Sequence, residues 1–258
     1  MRTDKGLKNF IQKGQKDFLG NLSIDCVIFG FHDGQLKALL LRYKYSHEWA
    51  LPGGFIYKKE DINEAANRIL KERTGLSEIF LQQFRVFGSP RRIDHAKTTG
   101  KFIRESGIPL AENSWLLGRF ITIGFYALVD FSAVSPAPDH FSDECKWHDI
   151  HSLPRLMIDH NEILTKALAA LQLQLNSQPI GYNLLPEKFT MPELQKLYEC
   201  ILDKRLDRRN FQRRILGYGI LRRLKETKKG MGHKAPYLYS FDLLKYHHAL
   251  EDGLTGGW

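Results

Sequence analysis

At 258 residues, with 43% hydrophobic and 12% aromatic content, the chain can form two cored domains, which excludes an intrinsically disordered protein. The formal net charge of +9 turns attention to anionic partners. The N-terminus lacks the apolar core of a signal peptide and no run reaches the roughly 18 apolar residues of a membrane span, so a soluble cytoplasmic protein is expected.

Residues 1–20 are polar with scattered apolar positions, Leu7, Phe10, Ile11, Phe18 and Leu19, and read as a short helix or arm. From Leu22 two β-rich runs flank His32-Asp33-Gly34, the signature of a hairpin. After Trp49-Ala-Leu-Pro-Gly-Gly54, helical spacing of Ile62, Ala65, Ala66, Ile69, Leu70 and Arg73 predicts a helix stopped by Gly75. Ile79–Gly88 and Phe120–Val129 read as strands. The polar stretch Arg91–Gly118 between them is too long for a simple connection. A helix near Leu153–Leu171 closes this region, and Asn176-Ser-Gln-Pro-Ile-Gly181 reads as a linker.

Beyond the linker, Thr190-Met-Pro-Glu193 matches a capping box ahead of Leu194, Leu197, Tyr198 and Ile201. Asp207 then caps a second helix running to Gly217. With Phe211 and Ile215 turned inward, Arg209 and Arg213 point outward, flanked by Asn210 and Gln212, with Arg208 and Arg214 in the same basic run. Arginine can bond guanine bidentately, and asparagine or glutamine can bond adenine. Strands at Leu221–Thr227 and Tyr237–Phe241 enclose a basic tip carrying Lys228, Lys229, His233 and Lys234, suited to phosphate contact. Lys204–Lys234 holds 12 basic against two acidic residues, so this segment alone accounts for the whole positive excess of the chain. The order helix, turn, helix, hairpin is that of a winged helix with its second helix in the major groove.

The three cysteines, Cys26, Cys145 and Cys200, have neither CxxC nor zinc spacing, which predicts inert thiols and no bound metal.

The segment Gly54-Phe-Ile-Tyr-Lys-Lys-Glu60, followed by Arg68-Ile-Leu-Lys-Glu-Arg-Thr-Gly75-Leu76, resembles a Nudix box at Gly54, Glu60, Arg68, Leu70, Glu72, Gly75 and Leu76. Such hydrolases gather carboxylates around Mg²⁺ to attack a diphosphate. Here two of the expected glutamates are Ile69 and Arg73, so the resemblance implies the fold without catalysis: no catalytic residues, no metal and no cofactor. Together with Gln178-Pro-Ile-Gly-Tyr-Asn-Leu-Leu-Pro186 and the basic helix, the chain is similar to Nudix-related transcriptional regulators.

That resemblance implies an α+β protein: an N-terminal arm (1–20), a Nudix-like α/β/α sandwich effector domain (21–176) and a winged helix-turn-helix domain (177–258). The expected function is a ligand-responsive repressor of sugar catabolism, a homodimer on a double-stranded DNA operator. Gly53, Gly54, Arg68, Arg119 and Tyr126 are expected to hold the effector. The segment 178–186 looks closer to regulators sensing a sugar such as arabinose; the alternatives are an ADP-ribose-sensing regulator of NAD metabolism and an active Nudix hydrolase with a basic accessory domain. An RNA-binding module is disfavoured, because few aromatic residues accompany the basic face.

Overall fold

The computed structural model describes residues 5–77, 79–93, 100–101, 104–109, 111, 114–139, 141–228 and 235–253. The chain divides into two compact units. The first comprises Met1–Phe29, Lys37–Leu128 and Ala133–Ala167; the second comprises Gly30–Leu36, Val129–Ser132 and Leu168–Trp258.

The arm is a helix, α1 (Lys5–Asp17). Its Leu7 and Ile11, one turn apart, are buried in one cluster with Ile108 and Leu116. The long polar stretch therefore contributes to the core through a few apolar residues. The 3-10 turns Pro90–Ile93 and Trp115–Leu117 lie within it.

Among the described residues, seven strands form one sheet: β1 (Phe18–His32), β2 (Gln35–Tyr43), β3 (Trp49–Ala50), β4 (Gly53–Tyr57), β5 (Phe80–Phe87), β6 (Ile121–Val129) and β7 (Ser142–Asp149). The path runs β3-β2-β1-β6-β5, with β4 against β1 and β7 against β2. Asp33 and Gly34 both take positive φ, 50° and 71°, as a type I′ hairpin turn requires. In the β1–β4 pairing, Ile24 stands opposite Gly54 and Asp25 opposite Gly53.

Helix α2 (Ile62–Thr74) follows β4 and starts with a capping box, in which Asp61 accepts from the backbone and Glu64 accepts from the Asp61 amide. It ends on Gly75 in the left-handed region, φ 75°. Ala65, Ala66, Ile69 and Leu70 are buried, each large side chain worth about 1.5–3 kcal/mol over exposure. Helix α3 (His160–Gln174) begins later than its pattern suggests. Leu156 bridges to Trp49, Met157 donates to the Trp49 carbonyl, and Ile158 sits at φ 52°, so helix cannot start before His160.

In the second unit, β8 (Phe189–Thr190), β9 (Leu221–Thr227) and β10 (Tyr237–Phe241) form a sheet in the order β8-β10-β9. Helix α4 (Met191–Leu202) carries the expected capping box of Thr190 and Glu193. Asp207 caps α5 (Arg208–Gly217) by accepting from the Asn210 amide at 2.9 Å. Phe211 and Ile215 are buried, Phe211 packing edge-on against Tyr198 of α4 at 5.4 Å. A further helix, α6 (Leu243–Asp252), lacks a side-chain cap, and its Tyr246 hydroxyl donates to the Pro179 carbonyl. Gln178 donates to the Leu250 carbonyl, so residues of the 176–181 stretch are tied within this unit.

Candidate functional site

A cavity of about 590 Å³ opens in the first unit. One wall is the β4–α2 segment, with Gly53, Gly54, Arg68, Ile69, Glu72 and Arg73; another is aromatic, with Phe10 of α1, Phe18, Phe55 and Phe141. Phe10 sits 4.8–5.6 Å from the ring centroids of Phe18, Phe55, Trp115 and Phe141. The two glycines are there for space. A Cβ on Gly53 would lie 2.7 Å from Asp25 Oδ1 and from the Ile24 carbonyl, and one on Gly54 would lie 3.0 Å from the Ile69 side chain.

Three arginines line the cavity, each beside carboxylates. Arg68 donates from Nε and Nη2 to the two oxygens of Glu60 at 2.7 and 2.8 Å and from Nη2 to the Phe55 carbonyl, with its guanidinium over the Tyr57 ring. The arginine beside it holds the Glu60 carboxyl below the usual range. Arg73 reaches Asp139 at 3.2 Å and Glu72 at 3.6 Å, both through Nη2. Arg92 Nη2 lies 3.6 Å from Asp25, and its Nε lies 3.1 Å from Asp159 in an ion pair without hydrogen-bond geometry.

His160 completes this cluster, accepting at Nδ1 from the Leu51 amide at 2.9 Å. Burial depresses its pKa below the usual imidazole range and raises that of neighbouring Asp159. A neutral His160 agrees with the hydrogen bond, since Nδ1 must keep its lone pair to accept.

Of the five residues expected at the effector, Gly53, Gly54 and Arg68 line the cavity. Arg119 and Tyr126 are not among its lining residues. Arg119 is exposed just ahead of β6, and Tyr126 is 1% exposed within β6, packed near Phe80 and Phe84. Strand alternation fails as a guide on β6, because both its faces are covered. Sequence reasoning also missed Phe10, Asp25, Arg92, Asp139 and His160. Their shared signal, polar or aromatic residues distant in the chain, becomes visible only when the sheet brings them together.

On α5, Arg208, Arg209, Asn210 and Arg213 are exposed, and Gln212 and Arg214 half-buried. Arg208 and Arg209 have no acidic partner within 4 Å among the described residues. Arg213 donates to Asn210, and Arg214 to the Tyr218 hydroxyl. On β9, exposed Arg223 stacks over the Tyr237 ring at 3.5 Å, and Arg222 pairs with Asp242. Lys228 is exposed and paired with Glu193, while Lys229, His233 and Lys234 lie outside the described residues. As for the thiols, Cys26 is buried with its pKa raised, burial pushes Cys145 up to about 12, and Cys200 donates to the Gly34 carbonyl.

Comparison with known proteins places this geometry. The NUDIX domain matches residues 21–168, and the NrtR DNA-binding winged helix domain matches residues 181–241. The chain belongs to the Nudix-related transcriptional regulators. An ADPR responsive transcriptional repressor NtrR of Acinetobacter baylyi is 29% identical over 232 residues, covering 87% of this chain and 83% of the relative. The crystal structure of Shewanella oneidensis NrtR complexed with a 27mer DNA matches 92% of this chain and 99% of its own at 23% identity and a TM-score of 0.69. A MutT/nudix family protein from Enterococcus faecalis matches 94% and 100% at 19% identity and a TM-score of 0.62. The fold is a Nudix domain followed by a C-terminal winged helix domain. Among the described residues no helix is long and apolar enough to cross a membrane.

The Nudix box does not fit a divalent cation. Ile69 is fully buried hydrocarbon, Arg73 is a cation, and both oxygens of Glu60 are engaged by Arg68, one of them also by the Tyr57 amide. Glu72 alone faces the cavity from the box as a carboxylate, and a guanidinium lies 3.6 Å from it. Among the described residues no cluster of three histidine, cysteine or acidic side chains could hold a metal.

Proposed function

We propose that the protein is a transcriptional repressor that binds a duplex operator as a homodimer and releases it when ADP-ribose enters the Nudix cavity. One observation carries this reading: α5 presents Arg208, Arg209 and Arg213 to solvent inside the segment matching an NrtR DNA-binding winged helix domain, on the same chain as an arginine-lined Nudix cavity. Arg208, Arg209, Asn210, Gln212, Arg213 and Arg214 read the major groove, and Lys228, Lys229, His233 and Lys234 follow phosphates. The boundaries that go with this reading are an arm at 1–20, an effector domain at 21–176 and a DNA-binding domain at 177–258.

The A. baylyi relative, responsive to ADP-ribose, supports the same effector here, and it replaces the sugar expected from the segment 178–186. Chemistry agrees: arginines suit a diphosphate and rings suit an adenine, and a cavity of about 590 Å³ is of ligand size. The absent carboxylates argue against hydrolysis.

The test starts with selection of tight-binding duplexes from a random pool, followed by fluorescence anisotropy with ADP-ribose or arabinose added. Release by ADP-ribose and not by arabinose is expected, with no Mg²⁺-dependent cleavage of ADP-ribose. Binding indifferent to ADP-ribose would falsify the effector; turnover would make the chain an enzyme.

A further inference from the structure

Arg73 stands where Nudix hydrolases gather carboxylates, and it is buried at 8% exposure instead of turning to solvent. The surrounding chain fixes it. The Ala137 amide donates to the Arg73 carbonyl and the Ser135 amide to the Thr74 carbonyl, stitching the end of α2 to the loop between β6 and β7. Asp139, which faces the guanidinium, is held in turn: its Oδ1 accepts from the Phe141 amide, the Ser142 amide and the Ser142 hydroxyl, each at 2.8 Å. Its Oδ2 remains for Arg73.

The guanidinium is not used up by these contacts. Arginine carries five N–H donors in a planar fork. Both ion pairs of Arg73 run through Nη2, and its Nε is buried without a hydrogen-bond acceptor among the described residues. By contrast Arg68 spends Nε and Nη2 on Glu60 and a carbonyl, and Arg92, whose Nε also lacks a hydrogen bond, is held by Asp25, Asp159 and the Phe87 carbonyl through Nη2, Nε and Nη1. Arg73 lines the cavity, and the donors of its fork not spent on Glu72 and Asp139 are left for an anion; phosphate oxygens match the arginine fork bidentately.

We infer that Arg73 turns the former metal position into a metal-free diphosphate site. Its guanidinium supplies directly the positive charge that a divalent cation supplies in hydrolases, so the effector's phosphates bind without a cation. The nucleoside part of the ligand rests on the ADP-ribose reading above; the diphosphate part rests on Arg73.

Isothermal titration of the full-length protein separates the two. Inorganic diphosphate and ADP-ribose are titrated in EDTA, and ADP-ribose again in millimolar Mg²⁺, into the unaltered protein, Arg73→Gln, Arg73→Lys and the double variant Arg73→Gln/Asp139→Asn. The double variant removes the half-buried carboxylate that would otherwise be left without its ion pair, so it serves if Arg73→Gln alone misfolds. Both ligands are expected to bind in EDTA, ADP-ribose equally well with Mg²⁺, with affinity at least tenfold weaker in the glutamine variants and partly kept in Arg73→Lys. Undiminished diphosphate binding in the double variant, or ADP-ribose binding only with Mg²⁺, overturns the inference and leaves the effector reading standing. ADP-ribose binding no tighter than diphosphate sinks the effector reading and leaves the Arg73 site. Failure of the unaltered protein to bind either ligand overturns both.

Discussion

Arginine does opposite work at two helices of this molecule. On α2, Arg68 and Arg73 lie in a cavity wall against Glu60 and Asp139; on α5, Arg208, Arg209 and Arg213 stand in solvent. Away from water, a charge without its counter-charge is costly, so the α2 arginines are fixed in place. In solvent an ion pair is worth little, so the α5 arginines keep their donors for a partner that brings its own charge. Under the proposed function, the contrast separates a ligand site built in advance from a surface that is completed by DNA.

Removing one member of a buried pair should break the contrast most severely. Arg73→Ala leaves the half-buried Asp139 without its ion pair and is expected to lower unfolding free energy by about 3 kcal/mol, the lower end of the range for a buried pair because Asp139 keeps three hydrogen bonds. Arg73→Ala/Asp139→Ala should recover most of that. Urea denaturation decides, and a single-variant loss below about 1 kcal/mol would show that the pair is effectively solvated.

At the exposed helix the cost falls on binding. Arg209→Ala or Arg213→Ala should weaken operator binding by roughly 1–3 kcal/mol and scrambled duplex by less. Equal losses on both duplexes, measured at several salt concentrations, would remove α5 as the reading helix.

The buried cluster also sets a pH response. His160 has its pKa lowered on folding, so the unfolded chain binds the proton first and stability falls as pH drops below about 6.5. The slope from one such group is at most about 1.4 kcal/mol per pH unit. Asp159, raised on folding, works the other way and offsets part of the loss at lower pH. Denaturation midpoints between pH 7.5 and 5.5 should fall less steeply for His160→Asn than for the unaltered protein; parallel curves would remove His160 as the source.

The smallest effect is expected at Lys228. Because it must leave Glu193 before meeting a phosphate, Lys228→Ala should weaken all duplexes by less than about 1 kcal/mol and reduce the salt slope by less than the roughly 0.9 of a full phosphate contact. A full-unit change would mean that the Glu193 pair does not persist in solution.

Legibility followed distance along the chain. Thr190 and Glu193, Asp207 and Asn210, and the strands Leu221–Thr227 and Tyr237–Phe241 could be read because cap, period and turn are local interactions. Likewise, Phe211 and Ile215 fixed which face of α5 points out. The cavity was half legible. Gly53, Gly54 and Arg68 belong to one contiguous motif, whereas Asp139, Arg92, His160 and Phe10 reach the cavity from four other segments. Arg73 was visible as a missing carboxylate, but its pairing with Asp139 depends on tertiary closure that no local pattern encodes. Tyr126 does not line the cavity, because β6 is covered on both faces and offers an aromatic no polar side to choose.

The contact between Ile69 and Gly54 bears on the history of this box. Ile69 is wholly buried, with two of its carbons 3.0 Å from the space a Cβ on Gly54 would occupy. A mutation returning glutamate at position 69 alone would push a carboxylate into that apolar packing. One returning glutamate at position 73 alone would set it against Asp139 with no cation between them. Each single reversal therefore passes through a less stable protein that still lacks a complete set of metal ligands, and selection has nothing to reward at the halfway point. Under the proposed function, loss of hydrolysis would behave as a ratchet, since neither single reversal restores a complete set of metal ligands.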